Sequence, residues 1–429
     1  MTITFVGHGY VGLVSACVFA DFGNKVWVIG RNESKIAKLK AGDPLIYEPG
    51  LKELLDKNLA ANRLFFTVDY DKALTESDII FIAVGTPIAK NGQSDLSSIN
   101  DVAKKIATNL TKTQVVVACK STVPLGTNKK IAKLINDNKS SKTKVHMASC
   151  PEFLREGTAV FDTLNPDRIV IGSDSQKAID LLLDFHKPLN GKRVVTDLAS
   201  AELIKYTANA MLANKVSFAN LIAFYCEKTE ADVETVLDAV GLDKRLGRIF
   251  LSPGIGYGGS CLPKDVTALI GTGERLDIDT SLLKSINKIN QQARQNFKNK
   301  IVTNARTKKV AVWGLSFKPN TDDIRDAPAV YILQELLGKG FQLKVYDPAA
   351  MDKVRSFFGK KLKYASSPYE ALEEASALCI FTEWNEFKEV DLRKVKSLLA
   401  KPIIFDGRNI YNPQQMHQLG FKYFSIGRS

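Results

Sequence analysis

The chain has no closely spaced cysteine pairs. Cys17, Cys119, Cys150, Cys226, Cys261 and Cys379 are dispersed, without CxxC or metal-ligand spacing, so neither disulfides, structural zinc nor another metal centre is expected. Long apolar runs are missing as well, and none could cross a bilayer. The amino terminus passes at once into Ile3-Thr4-Phe5-Val6, with no basic segment, signal core or cleavage site. That start predicts a cytoplasmic protein with no membrane partner. Acids are in deficit: 59 Lys and Arg face 46 Asp and Glu, a formal charge of +13. Such a bias suits nucleic acid, anionic membranes or phosphorylated ligands. The basic residues are spread along the chain, however, with no arginine-rich tail, zinc-finger pattern or basic-aromatic signature. Phosphorylated small molecules are therefore expected, and nucleic acid is not.

What is present is length for two or three domains: 429 residues, 45% of them hydrophobic. Ile3 to Val6 reads as a strand, followed by Gly7-His8-Gly9-Tyr10-Val11-Gly12, an apolar helix through Phe22 and a second strand, Lys25 to Ile29. Strand, GxGxxG, helix, strand is the dinucleotide-binding pattern. Its glycines make a tight turn, admit a pyrophosphate to the helix start and let helix and strand pack closely. NAD-specific sites commonly end the second strand on an acid that bonds the adenosine ribose. Here the acid is absent, and Gly30-Arg31-Asn32 stands there with Ser34 and Lys35 following. No carboxylate repels a 2′-phosphate, and Arg31 with Lys35 could clamp one; alternatively Arg31 stacks on adenine and NAD binds. NADP or dual use is expected.

Further strands, Asp78 to Val84, Val115 to Cys119 and Val145 to Ser149, run into loops carrying Thr86, Thr122 and Pro151-Glu152-Phe153-Leu154-Arg155-Glu156-Gly157. Ligands in open parallel sheets sit beyond such strand ends, making Thr86 and Thr122 candidate cofactor contacts. Glu152 and Glu156 are four apart and would share a face if helical. No Gly or Pro interrupts Lys192 to Val240, and from Ala199 onward the segment reads as one long helix with apolar surface enough for a second subunit. Lys205 and Asn209 would project together from it and could stabilise an oxyanion. Next comes a glycine-rich run ending in Ser260-Cys261-Leu262-Pro263-Lys264-Asp265. It reads as a mobile nucleophile loop, since a neighbouring cation favours the attacking thiolate; the alternative is a surface turn with an inert, buried Cys. Ser281 to Lys300 is a second helix. Strand and helix alternate again from Val310, with strands at Leu343 to Asp347, Leu378 to Thr382 and Ile403 to Phe405, but no GxGxxG follows the first. A second dinucleotide site is not expected.

GxGYVG at Gly7, PEFLREG at Pro151, ELIKYTANA at Glu202, GYGGSCLPKD at Gly256, WGLSFKPNTDDIRDAP at Trp313, TEW at Thr382 and FDGRN at Phe405 together resemble the nucleotide-sugar 6-dehydrogenases, the UDP-glucose/GDP-mannose dehydrogenase family. The likeness spans essentially the whole chain, and GIGYGG and KPNTDDIR look most like the UDP-glucose branch. It implies two Rossmann-like doubly wound parallel-sheet domains joined by a helical middle domain whose long helix builds a homodimer. The corresponding boundaries are 1–198, 199–304 and 305–429.

The resemblance also implies oxidation of the sugar C6 alcohol to a carboxylate, UDP-glucose giving UDP-glucuronate, with two NAD(P)+ reduced. GDP-mannose, another UDP-hexose, and a non-catalytic sensor on the same fold are the alternatives. By position, Cys261 would be the nucleophile, Lys205 and Asn209 would polarise the C6 oxygen, and Asp265 with Thr122 would position water. Glu152 and Glu156 would assist proton transfer. Gly7, Gly9, Tyr10, Val11, Gly12, Gly30, Arg31, Lys35, Thr86, Thr122, Glu156, Lys264 and Arg325 fall on the cofactor side. Glu152, Phe153, Leu154, Arg155, Glu156, Lys205, Asn209, Phe250, Leu251, Ser252, Pro253, Gly254, Gly258, Lys318 and Arg408 fall on the substrate side, with Arg245 reaching across the dimer.

Overall fold

In the computed structural model, which describes residues 1–89 and 92–428, short apolar segments bounded by turn residues form two parallel sheets. The first contains β1 (Thr2–Val6), β2 (Lys25–Ile29), β3 (Leu64–Thr67), β4 (Ile79–Ile82), β5 (Gln114–Cys119), β6 (Lys144–Ser149), β7 (Arg168–Gly172) and β8 (Lys192–Thr196), in the order β3-β2-β1-β4-β5-β6-β7-β8. All neighbours are parallel except β6 and β7, which meet only at Ser149 and Gly172. Strand order reverses between β1 and β4, so their carboxyl ends open a crevice. Helix Tyr10–Asp21 is buried from Gly12 to Ala20 against one face of the sheet, and Ile99, Val102 and Ile106 of helix Ser97–Thr108 cover the other. Burial on both faces explains why these strands are continuously apolar rather than alternating.

The second sheet contains β9 (Lys309–Trp313), β10 (Gln342–Tyr346), β11 (Lys363–Tyr364), β12 (Leu378–Ile380), β13 (Ile403–Asp406) and β14 (Lys422–Phe424), all parallel, in the order β11-β10-β9-β12-β13-β14. Sequence reading missed β3, β7, β8, β11 and β14, which lie toward the sheet margins and have five residues or fewer.

The Gly- and Pro-free stretch is not one helix. After β8 it forms helix Leu198–Thr229, then breaks at Glu230, whose φ of +59° is left-handed, and resumes as Val233–Gly241. Asp232 makes that break, its side chain accepting the Thr235 N–H at 2.8 Å as a helix cap. A local Asx cap competes with helix continuation, and periodicity does not register it. The chain divides into two compact units, Met1–Ala208 with Thr267–Ile278 and Asn209–Val266 with Asp279–Ser429.

Candidate active site

In the first unit the glycine motif makes a cradle. Gly7 has φ +119°, and a Cβ there would lie 2.4 Å from the Ala83 carbonyl oxygen; one on Gly12 would lie 2.0 Å from that of Gly7. The helix start therefore sits tight on the sheet with its first N–H groups available to a pyrophosphate. These residues fit a dinucleotide, which accepts hydride when bound. Tyr10 donates its hydroxyl hydrogen to the Tyr47 carbonyl at 3.1 Å, and Val11 lies on the same first turn. Beyond β2, Asn32 caps helix Glu33–Lys40 by accepting the Lys35 N–H at 3.0 Å, leaving Arg31 and Lys35 exposed. Thr86 donates to the Thr122 carbonyl at 2.8 Å, which ties together the loops after β4 and β5.

Glu152 and Glu156 do not share a helix face: residues 151–155 are irregular and 156–157 form a turn. The loop is held by its own contacts. Glu152 accepts the Leu154 N–H at 2.7 Å and lies 3.2 Å from the Lys205 ammonium, both side chains being buried. A carboxylate beside a buried ammonium holds a proton donor in place without leaving either charge unpaired. Phe153 is stacked by Arg168 at 3.8 Å and faced by Lys205 at 5.3 Å. Arg155 is engaged by Asp162 through two guanidinium nitrogens, at 3.0 and 2.6 Å. That bond holds Arg155 above its ordinary pKa and helps keep Asp162 below its own despite burial.

Two buried carboxylates escaped sequence reading. Glu202 accepts from Gly126 N at 2.6 Å, Asn128 N at 2.8 Å and Asn128 Nδ2 at 2.7 Å, capping helix Thr127–Asn138 from a distant segment. Burial nonetheless pushes its pKa up. Glu48 accepts from Gly157 N and Ala159 N, each at 2.6 Å. Each carboxylate pins a loop that carries candidate residues: the Thr122 loop by Glu202, and the Glu152–Glu156 loop by Glu48. The available signal was the missing cap at Gly126, which brings no capping side chain; Thr158 gave none, being an ordinary capping residue.

In the second unit the glycine-rich run is not on the surface; residues 253–259 are all buried. Asn220 Oδ1 accepts Gly254 N at 2.8 Å, Asn290 Oδ1 accepts Tyr257 N at 2.8 Å, and Arg325 O accepts Gly259 N at 2.9 Å. Glycine is required at 258, where a Cβ would lie 2.3 Å from the Asp326 carbonyl oxygen. Arg294, also missed, donates to the carbonyls of Tyr257 at 2.5 Å and Asp326 at 3.4 Å, and burial lowers its pKa.

This fixed loop delivers Cys261 to the start of helix Leu262–Arg275, its carbonyl accepting the Asp265 N–H at 2.9 Å. A helix amino terminus favours a thiolate. Cys261 is partly exposed, whereas the other five cysteines are buried, and burial pushes Cys17 and Cys119 up to about 12. Beside it, buried Asp265 accepts from Asn209 Nδ2 at 2.5 Å and from the Lys264 ammonium.

Elsewhere in this unit Arg408 gathers three separate segments. It donates to Phe381 O at 2.9 Å, Phe317 O at 3.3 Å and Gly256 O at 3.4 Å, with Glu383 at 3.3 Å. Its Nη1 lies 3.2 Å from where a Gly254 Cβ would be, so the 250–254 segment and the Phe317-Lys318 turn meet at one guanidinium. Phe250 itself has a left-handed φ of +66°. Arg245 is exposed and paired with Asp243, while Arg325 is held by Asp323. Among the described residues no group of three His, Cys, Asp or Glu could hold a metal, and no helix is long and apolar enough to cross a membrane.

A glycine-cradled βαβ crevice, a second parallel sheet without one, and an accessible thiol at a helix start define a dinucleotide-dependent oxidoreductase. The chain belongs to the UDP-glucose/GDP-mannose dehydrogenase family: that family's NAD binding domain matches residues 1–190, its central domain 199–292 and its UDP binding domain 311–413. It therefore uses NAD(P) and takes a UDP-sugar. The chain is 45% identical to the UDP-glucose 6-dehydrogenase TuaD of Bacillus subtilis (strain 168), over 99% of this chain and 93% of that protein. A UDP-glucose dehydrogenase structure from the archaeon Pyrobaculum islandicum matches with a TM-score of 0.92 at 36% identity, covering 100% of this chain and 98% of that one. The GDP-mannose dehydrogenase of Pseudomonas aeruginosa matches with a TM-score of 0.57 at 32% identity, covering 99% and 100%.

Proposed function

We propose that this chain oxidises the C6 alcohol of UDP-glucose to the carboxylate of UDP-glucuronate, passing two hydrides to two NAD(P)+. The observation that carries this reading is Cys261, the only cysteine of the six that is not buried, at a helix start beside a bonded Asp265. The first oxidation gives an aldehyde. The Cys261 thiolate adds to the aldehyde carbon, forming a C–S bond and a thiohemiacetal oxyanion that Lys205 and Asn209 stabilise. Loss of the second hydride from that carbon leaves a thioester. Water then adds, the C–S bond breaks, and acid and thiol are released. Asp265 and Thr122 orient the water, and Glu152 and Glu156 carry its protons. Lys264, Arg325, Lys35, Thr86 and the glycine motif hold the dinucleotide, whereas Phe250 to Gly254, Gly258, Lys318 and Arg408 hold the sugar nucleotide.

GDP-mannose as substrate is the weaker reading: UDP-glucose dehydrogenases match with higher identity and a higher TM-score. A non-catalytic sensor would have no use for the intact Cys261–Asp265–Asn209 arrangement. For the cofactor we propose NADP or dual use, because Gly30 cannot bond a ribose and Arg31 stands exposed beside it. Domains at 1–198, 199–304 and 305–429 are supported by the three family matches. A homodimer is supported by Met211, Phe218 and Tyr225, seven apart on the long helix and 57%, 47% and 63% exposed; Arg245 would then serve the partner's site. A monomeric mass in solution would exclude that assembly. Six cysteines without a disulfide among them suit the cytoplasm, and reduced protein recovered from an oxidising compartment would argue otherwise. The deciding experiment is a steady-state assay of UDP-glucose, other UDP-hexoses and GDP-mannose with NAD and with NADP. Acid formed fastest from UDP-glucose supports the reading, and turnover confined to GDP-mannose sinks it.

A further inference from the structure

We propose that His8 is a second determinant of cofactor choice, coupled to Gly30. Its imidazole takes the volume that a ribose-binding carboxylate would need and, with Arg31 and Lys35, forms a cup for the adenosine 2′-phosphate. The inference rests on the NADP reading above.

The geometry starts at Gly30, the residue that follows β2. A Cβ built there would lie 3.1 Å from His8 Cδ2 and 2.7 Å from Ile36 Cδ1. Both distances are shorter than carbon–carbon contact. Positions 8 and 30 therefore crowd one another: the ring fits beside glycine, whereas a side chain at 30 requires the Ile36 methyl to move and the ring to give by a few tenths of an ångström. Moreover, His8 Nε2 is buried without a hydrogen-bond partner among the described residues. A buried nitrogen left in that state is costly, and a ligand oxygen within reach of the imidazole offsets the cost. The surrounding charge points the same way. Arg31 and Lys35 are exposed. Arg31 follows Gly30 directly, Lys35 sits on the first turn of the next helix, and burial, then the charges of Lys35 and Arg31, hold His8 below its ordinary pKa. A phosphate dianion gains from all three groups, whereas a ribose hydroxyl gains little from the cations.

A double-mutant cycle at positions 8 and 30 in the full-length enzyme tests this, with calorimetric dissociation constants for NADP and NAD and a thermal melt to confirm folding. His8→Ala should weaken NADP about tenfold, the scale of one lost charge-assisted bond, and NAD by no more than about twofold. Gly30→Asp alone should weaken both dinucleotides, because the added side chain crowds both the ring and Ile36. Adding His8→Ala to Gly30→Asp should restore NAD but not NADP, a non-additive result. Additive effects on NAD, or NADP affinity unchanged in His8→Ala, overturn the proposal. A wild-type enzyme that binds NAD far more tightly than NADP refutes the cofactor reading and the phosphate cup with it, while the NAD arm alone still decides whether positions 8 and 30 are coupled.

Discussion

Cys261 differs from the other five thiols by position rather than by chemistry. Strands, core helices and the position just after β6 hold Cys17, Cys119, Cys226, Cys379 and Cys150 buried, where a thiolate is disfavoured. Only Cys261 stands at the end of a glycine run that side chains and carbonyls hold in place, with a helix start behind it. Cys261→Ser is therefore expected to keep cofactor affinity while acid formation falls on the order of a thousandfold or more. Calorimetric titration of the dinucleotide beside a product assay reads both, and undiminished acid production would remove the thiol from the mechanism. Sequence made the identity of Cys261 plain, because glycines, proline and a Lys-Asp pair flank it. It did not show the loop's rigidity, which comes from Asn220, Asn290, Arg294 and Arg325, none of them adjacent to the loop in sequence.

At the scale of the element, carboxylates borrowed from elsewhere hold the functional loops. Gly126 is left-handed, with φ +82°, and brings no capping side chain, so helix Thr127–Asn138 depends on Glu202. Glu202→Ala removes three hydrogen bonds and strands buried donors, an expected loss of about 2–4 kcal/mol. Urea denaturation would measure it, and Glu202→Gln should recover part, since an amide oxygen can still accept. A loss below about 0.5 kcal/mol would mean that water caps the helix equally well. The same device recurs in the second sheet. Asp347, just beyond β10, accepts from Leu315 N at 2.7 Å and Ser316 N at 3.1 Å. An acid at the end of a second Rossmann strand commonly meets ribose; here it folds the loop after β9 instead. That use leaves the Asp347 oxygen engaged with the chain's own backbone. Periodicity located the long helix but not Thr127–Asn138, and it carried the long helix through Glu230, where a single Asx cap at Asp232 stops it.

At the scale of the whole molecule, one buried histidine couples stability to pH. His186 sits among Phe19 and Phe185, with Nδ1 2.7 Å from the Leu182 carbonyl, and burial lowers its pKa from 6.5 to about 3. Between those values the unfolded chain binds a proton that the native chain does not. The contribution is thus intact above pH 6.5 and is lost as pH falls toward 3, by at most about 1.4 kcal/mol per unit. His186→Gln should flatten the fall in unfolding free energy between about pH 6.5 and 4 relative to wild type. Parallel slopes for the two proteins would show that His186 is accessible to protons in the native state.

The amino-acid sequence by itself determined the two-sheet class, the glycine cradle, the missing acid at Gly30 and the order of the family's motifs. These are local properties: strand runs, turn glycines and short motifs act over a few residues and survive in one dimension. Only the tertiary structure decided which carboxylates serve as caps, that Glu152 and Glu156 belong to a loop, and that the His8 ring packs against Gly30. Those outcomes depend on groups brought together from distant segments, where burial raises the cost of an unpaired charge or donor until some partner must be found.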